Sequence, residues 1–167
     1  MIRQALAGDD AALRALDVAV WSWLVSPAPP PALDAPFFKH GLAPADVIVF
    51  DDGGTVAGYI ALGSPTPLES SRHVVYVRGL AVAPAHRGRG IGRALIEAAV
   101  DAARERGARR ITLRVLAPNA PARALYEACG FAVEGVLRRE FLLDGRYVDD
   151  VLMALTLTPV SAEGRAR

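Results

Sequence analysis

The feature that most constrains the fold is the change from a strand pattern to a helix pattern across residues 73–107. The run HVVYVRGLAV, at 73–82, is rich in β-branched residues and stops before Pro84, as a strand does. From Ile91 onward the apolar residues recur at helical spacing, and Gly107 is a typical helix stop. An amphipathic helix must bury its apolar face, so this region predicts a helix packed on a sheet.

The turn between these two elements, HRGRGIGR, has the composition of an anion-binding site. The first turn of a helix leaves N–H groups unpaired at the positive end of the helix dipole. Glycines let the backbone approach a phosphate closely, and arginines add charge and forked hydrogen bonds. The three glycines, at 88, 90 and 92, and the arginines around them therefore predict a cradle for a pyrophosphate group.

Two common phosphate-binding motifs fit this turn poorly. The nucleoside-triphosphate loop needs a lysine and a hydroxyl residue after its last glycine, and neither follows Gly92. The dinucleotide fingerprint needs a different glycine spacing and an acidic residue about 20 positions further on. That region reads Arg109-Arg110 here. A nucleotide-dependent oxidoreductase is therefore a weaker alternative, and a flexible turn with solvated arginines is the interpretation without function.

Most of the other predicted elements are strands joined by tight turns. The runs DVIVF and VAGYIAL flank DDGGT, and two longer runs flank Asp144-Gly145, a pair typical of a type I′ turn. Strands are also expected at 2–6 and 110–116, helices at about 10–24 and from Asn119 to Cys129, and an irregular proline-rich loop at 26–44. This order predicts an α/β (α+β) fold, with a mixed, mostly antiparallel central sheet of six to seven strands flanked by helices.

Length and composition fit one globular domain, expected at residues 1–158, followed by a flexible tail at 159–167. The chain has 167 residues, of which 52% are hydrophobic, so it can bury a substantial core. The net charge of +1 argues against a general nucleic-acid binder, which would carry a clear basic excess.

Cysteine, proline and histidine placement excludes further classes. A single cysteine, Cys129, rules out an intramolecular disulfide and a cysteine-based metal site, and the three histidines lie far apart. The longest uncharged stretch, 18–33, is interrupted by four prolines, so we expect no membrane span. The N-terminus lacks the apolar core of a signal peptide. We therefore expect a cytoplasmic protein with no metal.

Three blocks of the chain resemble the GNAT family of N-acetyltransferases. The glycine-arginine turn, Arg87-x-x-Gly90-x-Gly92, resembles the family's acetyl-CoA-binding motif. The block NAPARALYEACGF, at 119–131, is similar to the family's asparagine-to-Gly-Phe helix. The third block, DGRYVDDVLMAL, is similar to the closing hairpin of many members. The resemblance covers roughly residues 73–157, and before that only the order of elements agrees.

The resemblance implies that acetyl-CoA lies between two central parallel strands that splay apart, here 73–82 and 110–116. The N–H of Leu80, beside a bulge expected at Arg78-Gly79, would then donate to the acetyl carbonyl, and the backbone of Val82 would pair with the pantetheine arm. Arg89 and Arg123 become candidates for the 3′-phosphate. The full set of implied cofactor contacts is Leu80, Ala81, Val82, Arg87, Gly88, Arg89, Gly90, Ile91, Gly92, Arg93, Asn119, Ala122, Arg123 and Tyr126.

Tyr126 matches the family's general acid. A tyrosine hydroxyl, with an ordinary pKa of about 10, is protonated at neutral pH and can supply a proton to the departing thiolate. The other interpretation of Tyr126 is a hydroxyl packed against the core. Together with the Leu80 N–H, Tyr126 is the expected catalytic group.

The general base and the acceptor are open at this point. Many relatives use a glutamate on the strand before the bulge, where this chain has Tyr76 and Arg78. The candidate bases are Glu69, His73, Glu140, Asp149 and Asp150, and a water chain is also open.

The acceptor is expected to be an amine of a small molecule or a peptide N-terminus. Arg138, Arg139 and Arg146 hint at an acidic one, although a solvated hairpin face explains them equally well. A homodimer is also an expectation, because dimers are common in such folds. The alternative to an enzyme is a module that binds acetyl-CoA without turnover.

Overall fold

The computed structural model describes residues 1–157, so residue 158 and the tail expected at 159–167 lie outside the described part. Within this part, three helices flank a seven-stranded sheet. The helices are α1 Asp10–Val20, α2 Ile91–Glu105 and α3 Ala120–Ala128. The strands are β1 Ile2–Gln4, β2 Val47–Asp52, β3 Thr55–Gly63, β4 Val74–Val82, β5 Arg110–Leu116, β6 Ala132–Leu143 and β7 Arg146–Thr156.

The strand order is β1-β2-β3-β4-β5-β7-β6. Every neighbouring pair is antiparallel except β4 and β5, which are joined through the crossover helix α2. The two expected hairpins are present, and Asp144 and Gly145 both have positive φ, as a type I′ turn requires. The predicted mixed, mostly antiparallel sheet is therefore confirmed.

The parallel pair β4–β5 separates soon after it begins. Val74, Val75 and Tyr76 pair with the first three residues of β5, and no later pair joins these two strands. Beyond this point β4 keeps only β3 as a neighbour, and β5 keeps only β7. The sheet therefore has a wedge-shaped gap in its middle, bounded by residues 77–82 and 113–116, which confirms the expected splay.

The sheet separates two apolar cores. On one face, α2 and α3 pack on the sheet around fully buried residues such as Leu95 and Ile111. On the other face, α1 packs with Phe37 and Tyr59. Helix α1 contacts β3 and β4, and no helix of residues 1–157 covers the α1 side of β5, β7 and β6, which we call the uncovered face.

Helix α1 is shorter than the sequence predicts. It ends at Val20, and Trp21 is extended, whereas the apolar spacing indicated a helix to about residue 24. The Trp21 indole N–H donates to the carbonyl of Ala28, and its ring packs edge to face on Trp23 at 5.0 Å. These contacts stabilise a folded-back loop, and tertiary contacts here override the helical periodicity.

A buried arginine anchors the long loop after α1. Arg14 is 4% exposed, and its guanidinium donates to the carbonyls of Ala35 and Pro36 at 2.9 and 2.7 Å. It also contacts Asp17 at 3.3 Å. The burial of Phe37 next to this anchor fixes the end of the loop on the sheet.

We predict that Arg14→Ala destabilises the protein by about 2–3 kcal/mol, because it removes a buried side chain and leaves two part-buried carbonyls and one carboxylate without their donor. Arg104→Ala is the matched control, since Arg104 makes only an exposed pair with Asp101 and should change stability by less than about 0.5 kcal/mol. Thermal and urea unfolding measure both. Equal stability of the two variants would contradict the anchoring role.

Candidate active site

The glycine-arginine turn has the backbone geometry of an anion cradle. Gly88 and Gly90 have φ of +73° and +78°, a left-handed conformation that side chains other than glycine rarely adopt. Gly90 caps α2, and its carbonyl accepts the first bond of that helix, from the Ala94 N–H at 3.0 Å. Among residues 1–157, the backbone N–H groups of 88–93 have no protein acceptor. The turn thus presents several free donors at the positive end of α2.

Gly92 has a packing role that the sequence did not reveal. A Cβ atom at this position would lie 2.9 Å from the Cδ2 atom of Leu125 in α3. The glycine therefore allows the first turn of α2 to approach α3 closely. The two helices flank the mouth of the gap in the sheet.

Side chains around the turn hold it in place. Asp52, from the β2–β3 hairpin, contacts both His86 and Arg89 at 3.3 Å. Arg87 donates from Nε to the Val82 carbonyl at 3.2 Å. The exposed positions of Arg87 and Arg89 leave both guanidiniums open to an anion at the turn.

The edge of β4 that faces the gap has free backbone donors. The Ala83 N–H donates to the Ala57 carbonyl at 2.9 Å, so alternate residues of β4 point their amides toward β3. Leu80 and Val82 occupy the other positions, and their N–H groups point into the gap. The register shift beside Gly79 places the expected bulge at Arg78. Ala81 points its side chain into the α1 core.

Helix α3 contributes a cap and a half-buried arginine. The Asn119 side chain accepts from the Ala122 N–H at 3.3 Å, which confirms the N-cap, and both residues line the gap. Arg123 donates from Nη1 to the Ala117 carbonyl at 3.4 Å, and its buried Nε has no partner among residues 1–157. Arg93 donates from Nη1 to the Ala128 carbonyl at 3.4 Å.

A cavity of about 390 Å³ fills the gap between β4 and β5. Its wall brings together Leu80, Asn119 and Tyr126, which are far apart in sequence. Residues 25–27 of the long loop close one side of it. The cavity therefore joins the free edge of β4 to the start of α3, as the resemblance implied.

Tyr126 is buried at this cavity. The residue is 7% exposed, its ring packs at 5.7 Å from Phe131, and its hydroxyl has no hydrogen-bond partner among residues 1–157. Burial raises the pKa of Tyr126 well above its usual value, with smaller contributions from Tyr76 and Cys129. The hydroxyl is therefore protonated at neutral pH and free to donate.

A second, more open cavity of about 690 Å³ lies on the uncovered sheet face. Tyr76, Arg78 and Arg114 line both cavities, so the two spaces meet at these side chains. The floor of the second cavity is formed by β5 and β7 residues such as Thr112 and Leu152. A molecule in this cavity can reach the gap where Tyr126 lies.

The two arginines at this meeting point differ in their partners. Arg114 pairs through Nε with Asp150 and through Nη2 with Glu140 at 3.2 Å. Arg78 only approaches the His40 carbonyl, at 3.5 Å, and has no carboxylate partner among residues 1–157. Its side chain lies across Gly63, where a Cβ atom would be 2.7 Å from the Arg78 Cδ. Arg78 is therefore an uncompensated cation in the cavity, a role that the sequence did not single out.

The structure separates the five candidate bases. Glu69 is exposed and pairs with Arg72, and His73 is exposed at the start of β4. Asp149 accepts from Arg138 and from the backbone of Arg139. Neither of the cavities is lined by these three candidates.

Glu140 and Asp150 are the candidates that reach Arg114 at the cavities. Two of the three hairpin arginines have partners within the hairpin. Arg138 pairs with Asp149, and Arg139 stacks over Tyr147 at 4.1 Å.

Within residues 1–157, no group of three or more metal-ligating side chains could hold a metal ion. No helix of the described part is long and apolar enough to cross a membrane.

Comparisons with known proteins agree with this geometry. The model of the acetyltransferase (GNAT) family matches residues 12–131. An L-amino acid N-acyltransferase of Escherichia coli is 30% identical over 72% of this chain and 70% of its own length. An L-methionine sulfoximine/L-methionine sulfone acetyltransferase of Salmonella typhimurium is 31% identical over 66% of this chain and 64% of its own length.

A solved acetyltransferase structure from Salmonella typhimurium superposes with a TM-score of 0.81 at 25% identity, covering 99% of this chain and 98% of its own. That structure contains its cofactor acetyl-CoA.

Proposed function

Because the chain belongs to the acetyltransferase (GNAT) family, its reaction is the transfer of an acetyl group from acetyl-CoA to an amine, and we propose that the acceptor is a free α-amino acid. When bound, acetyl-CoA supplies a thioester whose carbonyl carbon is open to attack and whose sulfur leaves with the electron pair. The observation that carries the acceptor proposal is Arg78, which lines the cavity that contains Tyr126 and has no carboxylate partner among residues 1–157.

The turn at 87–92 would hold the diphosphate of the cofactor. Its free N–H groups and the exposed guanidiniums of Arg87 and Arg89 offer several charge-assisted hydrogen bonds. Arg93 and Ile91 extend the same first turn of α2. Arg89 and Arg123 remain candidates for the 3′-phosphate, and the unpartnered Nε of Arg123 supports a ligand there.

The free edge of β4 would bind the pantetheine arm as an added strand. The N–H groups of Leu80 and Val82 face the gap, and Asn119 and Ala122 line its opposite wall. The N–H of Leu80 would donate to the acetyl oxygen, where negative charge builds during attack. One such fixed donor typically contributes about 3 kcal/mol to the stability of the transition state.

Tyr126 would protonate the leaving sulfur. Its hydroxyl is held protonated by burial, carries no internal hydrogen bond among residues 1–157, and lies in the same cavity as Leu80. A positioned general acid typically contributes a rate factor of about 10²–10⁴. No covalent enzyme intermediate is required, so the acetyl group would pass directly to the amine.

Arg78 would bind the carboxylate of the acceptor. An arginine fork matches a carboxylate geometrically, and the other guanidinium at this point, that of Arg114, is already neutralised by two acids. The relatives named for amino-acid acceptors support this choice. A peptide N-terminus lacks the α-carboxylate next to its amine, so it would not use Arg78 in this way.

We also propose a cytoplasmic enzyme, expected as one domain over residues 1–158, that forms a homodimer. Strand β6 is at the edge of the sheet, and several exposed apolar residues lie on the β6–β7 hairpin, which supports pairing of two copies there. Light scattering during gel filtration measures the mass in solution.

We predict that Tyr126→Phe lowers kcat by about 10²-fold or more while the Kd for acetyl-CoA changes less than about twofold, because only the proton donor is lost. Free-thiol release measures turnover and calorimetry measures binding. An equal kcat for variant and wild type would show that Tyr126 is not the general acid. Binding of acetyl-CoA with no thiol release by the wild type, with any amine, would favour a module without turnover.

We predict that Arg78→Met raises the KM for amino acids with a free α-carboxylate by about 10- to 100-fold, the value of a charge-assisted hydrogen bond of about 1.5–3 kcal/mol. The corresponding amino-acid amides should be poor acceptors for the wild type and insensitive to this substitution. Arg72→Met, at an exposed pair with Glu69, is the matched control. If peptides with a free N-terminus are acetylated better than amino acids, the acceptor is a protein.

A further inference from the structure

Asp150 is a buried residue, and only one of its two carboxylate oxygens accepts a hydrogen bond from residues 1–157. The residue is 2% exposed and lies on β7, at the wall of the cavity that also contains Leu80 and Tyr126. One of its oxygens, Oδ2, accepts from Nε of Arg114. The other oxygen, Oδ1, accepts no hydrogen bond from residues 1–157 and is not fully buried, so it is open to a ligand in the cavity. Such a group at a cavity points to a cationic ligand.

The local charge favours a cation at this place. Arg114 is shared by two acids, Asp150 and Glu140, so this three-residue group has a net charge of −1. Burial alone would lower the pKa of Arg114, but hydrogen bonds and charges from Asp150 and Glu140 raise it above its usual value. The guanidinium therefore stays charged, and one negative charge is left over for a ligand.

An irregular stretch of β6 places Glu140, the second acid, beside Arg114. Leu137 pairs with Asp150 and Phe141 with Val148, so β6 uses two more residues than β7 between these pairs. Arg139, within the bulge, has a φ of +55°, which is strained for a residue other than glycine.

Asp149 holds this strained backbone, because its carboxylate accepts from the Arg139 N–H at 2.7 Å. The result is that Glu140 reaches Arg114 and Phe141 reaches the cavity wall. Strain that neighbouring contacts stabilise in this way is typical of functional sites.

We propose that Asp150 binds the ammonium group of the acceptor through Oδ1 and takes its proton, and that Glu140 is a positioning residue that acts through Arg114. This inference rests on the proposed function. It complements Arg78, which lines the same cavity and would bind the opposite end of a zwitterionic amino acid.

The proton balance of the reaction is complete with these groups. Asp150 takes one proton from the ammonium, which frees the nitrogen lone pair. The nitrogen attacks the thioester carbon, the carbon–sulfur bond breaks, and the sulfur takes the proton of the Tyr126 hydroxyl. The second nitrogen proton restores Tyr126, and Asp150 returns its proton to water. The α-ammonium of an amino acid is mostly charged at neutral pH, so this proton acceptance matters for rate.

The test compares Asp150→Asn, Glu140→Gln and the control Glu69→Gln in the full chain, after the wild type has been shown to release thiol with an amino acid. Failure of that first assay would contradict the proposed function and is distinct from the results below. We expect Asp150→Asn to lower kcat/KM for the acceptor by about 10²-fold with acetyl-CoA affinity within twofold. Glu140→Gln should lower it several-fold, and Glu69→Gln should leave it unchanged.

The pH profile separates proton acceptance from a structural role. The titratable and charged groups facing Asp150 are Tyr76, Arg78, Arg114, Glu140 and Tyr126, and all stay in place in Asp150→Asn. Turnover of this variant should rise tenfold per pH unit toward the pKa of the amine, as solvent removes the proton instead. Wild-type kcat/KM should rise less steeply over the same range.

Activity of Asp150→Asn within threefold of the wild type would overturn the proposal. A loss of acetyl-CoA affinity equal to the loss of turnover would also overturn it, because it would indicate a structural role. If Asp150→Asn does not fold, the KM and the pH profile of Glu140→Gln test the proposal instead. An unchanged KM and pH profile in that variant would then contradict the inference.

Discussion

The structure depends on the early separation of β4 from β5. Parallel strands normally pair along their length, but here the pairing ends after Tyr76. The separation leaves the N–H groups of Leu80 and Val82 without a strand partner and opens the cavity that contains Tyr126. Backbone donors that are shielded from water need partners, so the gap fits the proposed binding of an extended, hydrogen-bonding molecule. The glycine turn before α2 lies at its mouth.

The cavities beside the gap also contain charged groups without full compensation. Arg114 is shared by two acids, so the group retains one negative charge, while Arg78 keeps its positive charge without a partner among residues 1–157. One excess negative charge and one unpaired positive charge at the same cavity support the proposed zwitterionic acceptor. The uncovered face of β5, β7 and β6 gives such a molecule its way in.

The sequence predicted the parts of the site that depend on local patterns. The glycine turn, the Asn119 cap and the Asp144-Gly145 hairpin each follow from a few neighbouring residues, and all are found. The predicted end of α1 was wrong, because helical spacing does not reveal the contacts of Trp21 with Ala28 and Trp23. The pairing of Arg114 with Asp150 depends on the register of β5 against β7, which no local pattern specifies.

The central claim is that the free N–H groups at the start of α2 bind the diphosphate of acetyl-CoA while β4 binds its pantetheine arm. A crystal structure with saturating acetyl-CoA tests it most directly. We expect diphosphate oxygens within hydrogen-bond distance of the N–H groups between Gly88 and Gly92, and the pantetheine amides paired with β4 at Val82. A cofactor bound elsewhere, with this turn closed by its own side chains, would contradict it.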